Sequence, residues 1–169
     1  MSLEKYRRDA ILRAEGKVSS RILNDSIGHA NILIETMVGM ASFGDIIRVY
    51  SGSLPEASFF ASLSVTKAAK ILILLDDDSN LQWLSKLPLE QLKKMEIRRI
   101  VRSRPNHFFC VSSGAFRYET DAATFRAEAN FYEPKTSELL TTTFDAYCVD
   151  STIVSLPQVG VMRPSLGTL

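Results

Sequence analysis

The run KILILL, Lys70 to Leu75, constrains this chain more than any other stretch. Consecutive apolar side chains leave neither face of a strand for water, whereas a strand solvated on one side alternates polar with apolar. Such a strand belongs in the middle of a sheet covered on both faces. Asp45 to Tyr50 reads as a second buried strand and Glu96 to Val101 as a third, with helical patterns between them. The class is therefore α/β, a mixed central sheet flanked by helices. A length of 169 residues fits one domain, and 46% hydrophobic with 23% charged residues supplies an ordinary globular core.

Residues 3–15 carry helix formers and mixed charge, and Gly16 interrupts them. From Lys17 the apolar residues Val18, Ile22, Ile27, Ala30, Leu33, Ile34, Met37, Val38 and Ala41 recur at helical spacing up to Gly44. The expectation is a long N-terminal helix whose stripe lines a core or a dimer interface. Its richest portion, Ile32 to Met40, is shorter than the ~20 apolar residues a bilayer span requires and contains Glu35, so no membrane is expected. His29 has no second ligand a turn away and reads as a surface or capping histidine. The division expected is a helical segment over 1–44, an α/β core over 45–150 and a tail over 151–169. The start, MSLEKYRRDA, lacks the apolar core of a secretory signal, which points to the cytoplasm. Cys110 and Cys148 lie in apolar patterns and are expected as free, buried thiols. A net charge of +1 gives no global pull toward polyanions, so any such binding needs a local patch.

Several stretches carry possible chemistry. Ser51-Gly-Ser53 follows a strand and offers either backbone N–H groups to an anion or a plain turn. Residues 58–69 read as a helix. Asp76, Asp77 and Asp78 read as caps of a helix opening at Ser79-Asn80 and running through Leu87, in preference to a Mg²⁺ site. Pro88 opens a short helix with Leu89 and Leu92. Arg98, Arg99, Arg102 and Arg104 follow within seven positions. Guanidinium forks match phosphate oxygens, and Arg102 and Arg104 are the better candidates because they approach His107. Neither a dinucleotide fingerprint, a Walker loop nor a zinc spacing occurs, and no cofactor is expected.

The densest polar chemistry lies in Pro105 to Asn130. His107, Phe109 and Val111 share one strand face, Ser113-Gly114 turns the chain, and Phe116, Tyr118 and Thr120 begin the next alternation. In a third strand Phe125, Ala127, Ala129 and Phe131 form an apolar face, with Arg126, Glu128 and Asn130 opposite. The sheet is expected to gather His107, Arg126, Glu128 and Asn130 around one opening. Pro134 then starts a helix lined by Leu139, Leu140, Phe144 and Tyr147.

The order of these parts resembles the second half of a phospholipase D-like (HKD superfamily) domain. The likeness runs through IIRVYSGSLP at Ile46 to Pro55, KILILLDDD at Lys70 to Asp78, His107, a glycine-bearing turn, AEANFYEP and a helix ending in FDAY. It covers about two thirds of the chain. The resemblance implies a metal-independent phosphodiester site in which one histidine attacks phosphorus, a second protonates the leaving oxygen, and lysines stabilise the growing charge. It also implies pairing of two copies about a two-fold axis. The signature HxKxxxxD is degenerate here: with His107 on the histidine, Phe109 stands at the lysine and Gly114 at the aspartate. The family's Gly-Ser-x-Asn segment is absent, and Glu128 precedes Asn130 instead of following it.

Losing a cation of this kind removes about 3–4 kcal/mol of transition-state stabilisation. The expectation is a single phospholipase D-like domain that has lost catalysis. It would act as a homodimer that binds DNA, RNA or a protein partner, with Arg102, Arg104, Arg126, Asn130, Ser51 and Ser53 contacting phosphate. Two alternatives stand beside it. One is a metal-independent phosphodiesterase or nuclease using His107 as nucleophile, with Glu128 fixing its tautomer. The other is an interaction module working through the apolar stripe of the N-terminal helix.

Overall fold

The structure, a computed structural model, describes residues 1–51, 62–76, 81–121, 123–124 and 126–155. In chain order the strands are β1 (Ile22–Asn24), β2 (Ile46–Ser51), β3 (Lys70–Asp76), β4 (Met95–Ile100), β5 (Phe108–Val111), β6 (Phe116–Asp121), β7 (Arg126–Asn130) and β8 (Ser151–Ile153). The helices are α1 (Leu3–Glu15), α2 (Ile27–Met40), α3 (Leu89–Leu92) and α4 (Pro134–Cys148). The eight strands among the described residues form one mixed sheet in the order β1-β7-β6-β5-β2-β3-β4-β8.

KILILL is β3, with parallel neighbours β2 and β4 on its two sides. Ile71, Ile73, Leu74 and Leu75 are all fully buried. Strand alternation sorts the core into two layers. Ile47, Ile71, Ile73, Ile97, Phe109 and Val111 pack in one cluster with α2 residues Leu33, Met37 and Val38. Tyr50, Leu74, Ile100, Phe108 and Cys110 pack in the other with Leu140 and Phe144 of α4. Each fully buried aliphatic or aromatic side chain contributes roughly 1.5–3 kcal/mol relative to exposure, so covering both faces is what holds the sheet.

The N-terminal helix begins later than its periodicity predicts. Ser26 caps α2, accepting from the His29 N–H, and residues 22–24 pair antiparallel with β7 through Ile22 opposite Ala129 and Asn24 opposite Ala127. Ile22 satisfies both a helical spacing and strand alternation, which is why the pattern ran on through it. The apolar stripe of α2, with Ile32, Leu33, Ile34, Met37 and Val38 buried, is used inside the core. It is not left for a partner, which corrects the interaction-module reading.

Ser151–Ile153 adds to β4 as an antiparallel edge, with Arg98 opposite Ile153. Positions 156–169 lie outside the described residues, as do Asp77 to Asn80, Ser53 and positions 58–61 of the helix expected over 58–69; of the rest of that helix, residues 62–65 are helical and residues 66–69 are not. Gln82–Lys86 is a 3₁₀ turn in place of the expected α-helix. No described helix is long and apolar enough to cross a membrane. Both cysteines are free; Cys110 is buried, and that burial pushes its thiol up to about 11.

The β5–β6 hairpin turns at Gly114, whose φ of +112° disfavours a side chain. A Cβ there would also come within 3.3 Å of the Pro134 nitrogen at the start of α4. Two independent constraints therefore hold glycine at this position.

Candidate functional site

The parallel strands β2, β3 and β4 finish at Ser51, Asp76 and Ile100 along one edge of the sheet. β5 is antiparallel to β2 and starts at that edge, immediately after His107; β6 ends there at Asp121 and β7 begins there at Arg126. The chain topology thus brings Ser51, Asp76, Arg102, Arg104, His107, Glu119 and Arg126 to one end of the molecule. The carboxyl ends of parallel strands are where open α/β sheets receive ligands.

At the centre of this edge the His107 Nδ1 lies 3.1 Å from Glu119 Oε2, and Arg117 Nη1 donates to Glu119 Oε1 at 2.8 Å. Arg117 Nε donates to Asn24 Oδ1 at 3.2 Å, tying the network to β1. The side chains of His107, Glu119 and Arg117 are 20%, 12% and 5% exposed. Burial opposes ionisation of Glu119, but the bonds from His107 and Arg117 outweigh it and hold the carboxyl below the usual range. The ring of Tyr50 meets His107 edge-on at 5.3 Å. Its hydroxyl accepts the Arg104 N–H at 2.6 Å and donates to Asp76 at 3.1 Å, while Ser103 donates to the same carboxylate at 2.8 Å. Burial pushes the Tyr50 phenol up from its ordinary value, so the hydroxyl stays protonated and pins the arginine-bearing loop to the end of β3.

Arg102 and Arg126 are exposed at this edge. Arg104 is half-buried, 3.7 Å from Asp150 and with its guanidinium over the Tyr147 ring at 5.4 Å. Ser51 is half-buried at the end of β2.

The fold that positions this edge is also found in solved structures. Nuc from Salmonella typhimurium, a phospholipase D family member, matches with a TM-score of 0.61 at 15% identity over 82% of this chain and all of Nuc. The fold is phospholipase D-like. Two further structures share it: TrmBL2, an archaeal chromatin protein with a novel mode of DNA binding, and the polyphosphate kinase of Porphyromonas gingivalis. TrmBL2 matches with a TM-score of 0.59 at 13% identity over 89% of this chain and 62% of that one. The polyphosphate kinase matches with a TM-score of 0.53 at 12% identity over 92% of this chain and 28% of that one. No family model and no curated protein matches the chain.

Within this phospholipase D-like sheet, two of the expected site residues lie elsewhere. Tyr118 pairs with both Phe108 and Glu128, so these three share one face; His107 and Glu119 belong to the other. The carboxylate that meets His107 is therefore Glu119, and Glu128 instead pairs with Arg21. Asn130 lies opposite Phe116, at the far end of β6 from His107. It is buried, donates to Glu133 at 3.1 Å and accepts the Tyr132 N–H at 3.1 Å, which shapes the turn into α4. One opening holding His107, Glu128 and Asn130 does not form.

Glu128 and Asn130 border a different feature, a cleft of about 430 Å³ between the sheet and α4. Its walls include Phe108, Phe116, Tyr118 and Tyr147, with Glu133 and Thr136 at one side and Arg21 and Glu128 at another.

The sequence reading missed Glu119 and Arg117. Their signal was present: in FRYET the charged residues at 117 and 119 fall on the same strand parity, where a lone charge would be costly and a pair is self-satisfying.

Proposed function

We propose that the chain is a phospholipase D-like domain that has lost phosphodiester cleavage and keeps the framework to bind a phosphate-bearing chain, DNA or RNA, as a homodimer. The observation that carries this reading is Phe109. It stands two residues after His107, where the family's lysine belongs, and is 2% exposed in the core cluster with Ile47 and Ile71. No cation can occupy that place without entering the hydrocarbon interior. Gly114, at the aspartate's place, is held by its backbone conformation and by Pro134. The guanidinium of the His107 network, Arg117, is engaged with Glu119 and Asn24. A site lacking the charge that stabilises a phosphorane-like transition state is slower by on the order of hundreds-fold, and loss of turnover is the simpler outcome.

Binding is supported by the arginines at the same edge. Exposed Arg102 and Arg126, with Arg104 beside them, offer forked donors to phosphate oxygens. The shared fold with a chromatin protein that binds DNA adds weight to a nucleic-acid ligand. A second reading has one contact in its favour. The Glu119–His107 pair would fix the imidazole tautomer, as the attacking histidine of a metal-independent phosphodiesterase requires.

The two readings part in one pair of assays. With chelator present, bis(p-nitrophenyl) phosphate is expected to be hydrolysed no faster than in buffer. Fluorescence anisotropy is expected to show labelled oligonucleotide binding that weakens with salt and with Arg102→Ala and Arg126→Ala. Hydrolysis that disappears in His107→Ala would establish the enzyme instead. Absence of binding at low salt would remove the nucleic-acid ligand.

A further inference from the structure

The cleft beneath α4 lies on the sheet face opposite His107 and takes no part in the function proposed above. We infer that it is a binding site for a small organic cation, an amine carried on a flat apolar body. Four aromatic side chains, Phe108, Phe116, Tyr118 and Tyr147, contribute to its walls, and its volume of about 430 Å³ falls within the ordinary range for small-ligand pockets. Their rings are fixed by packing: Phe108 meets Phe144 edge-on at 6.5 Å and Tyr50 at 6.0 Å, and Tyr118 receives the Asn106 amide at its hydroxyl. Such walls suit a planar body, and aromatic rings attract a cation placed over their faces.

Charge decides between an amine and other heads. Three charged side chains line the cleft: Arg21, Glu128 and Glu133. Arg21 is paired with Glu128, so those two cancel. Glu133 remains. Its Oε2 accepts from the Asn130 amide at 3.1 Å and its Oε1 from the Thr136 hydroxyl at 2.7 Å, both neutral groups, and it makes no salt bridge among the described residues. The cleft therefore carries one net negative charge held in place by two hydrogen bonds. The positive end of α4 beside Glu133 and the Arg104 guanidinium over the Tyr147 ring at 5.4 Å favour an anion, and a direct comparison of head groups resolves which dominates.

Isothermal titration calorimetry with phenethylamine, 2-phenylethanol and phenylacetate makes that comparison, because the three share a ring and differ in charge. The amine is expected to bind on the order of tenfold more tightly than the alcohol, with phenylacetate weakest. Glu133→Gln should abolish the amine's advantage and leave the alcohol's affinity unchanged. Leu139→Arg, at an exposed position of the cleft, should weaken the amine selectively, and Thr143→Trp should exclude all three by filling the space. His107→Ala should leave every affinity unchanged, which separates this site from the phosphate edge. Binding of phenylacetate as tight as that of the amine, a preference surviving Glu133→Gln, or no binding of any probe at millimolar concentration would overturn the inference.

Discussion

Replacing Arg117 with methionine tests whether the charges beside His107 are a self-contained unit. Its side chain is 5% exposed, and its guanidinium holds Glu119, itself 12% exposed, at 2.8 Å. Methionine keeps most of the apolar stem and removes the charge, leaving a buried carboxylate with His107 as its remaining charge-capable contact. Breaking a buried pair from one side costs about 3–5 kcal/mol. Because His107 stays in place and Glu119 retains some solvent contact, the low end, about 3 kcal/mol, is expected. For a domain of this size each kcal/mol shifts the melting temperature by about 2–4 °C, so Arg117→Met should melt about 6–12 °C lower. Adding Glu119→Gln removes the stranded charge and should restore about half or more of the loss, a coupling that urea unfolding followed by circular dichroism measures as a double-mutant cycle. Should Arg117→Met unfold within about 1 kcal/mol of the parent, or should the two substitutions simply add, the network is not the unit described.

Three further outcomes are expected. Asp45 is opposed by burial, but Ser42 and Ser112 hydrogen bonds outweigh this and hold its carboxyl below the usual range, as the bonds to Glu119 do there. The stability these groups contribute is present above about pH 4, where they ionise in the unfolded chain, and is lost as pH falls through their lower folded values. Asp45→Asn and Glu119→Gln should each flatten the acid limb of stability against pH; an unchanged limb would count against both assignments. Rebuilding the signature with Phe109→Lys and Gly114→Asp should yield no phosphodiesterase activity, and each change should destabilise by at least about 1–2 kcal/mol, through a buried cation and a disfavoured backbone conformation. A stable, active double variant would contradict this expectation. Tyr50→Phe should lose about 1 kcal/mol and weaken oligonucleotide binding at least twofold, because the hydroxyl anchors the loop bearing Arg102 and Arg104. Unaltered binding would separate that loop from the ligand.

The sheet was legible because its strands are short and their patterns pure. KILILL could only be central, and Phe109, Val111, Ala127 and Ala129 fell on buried faces as alternation required. The arrangement of the site was harder to read, since alternation gives faces within a strand but not how faces match between strands. Pairing Phe108 with Tyr118 and Tyr118 with Glu128 sets that match, and it carried Glu128 away from His107. Register comes from the hairpin at Gly114 and from the bulge between Glu119 and Asp121, neither of which hydrophobic pattern reveals. β1 was hidden for a different reason. Its three residues gain stability only by pairing with β7, a contact more than a hundred positions away in the chain, while the local spacing favoured a helix.

The central claim is that the phospholipase D-like edge around His107 binds a phosphodiester chain without cutting it. End-labelled DNA and RNA incubated with the protein in chelator, then run in parallel on native and denaturing gels, test this directly. The account predicts slowed migration on the native gel and full-length strands on the denaturing one. Shortened strands that vanish with His107→Ala, or unshifted strands at low salt, would contradict it.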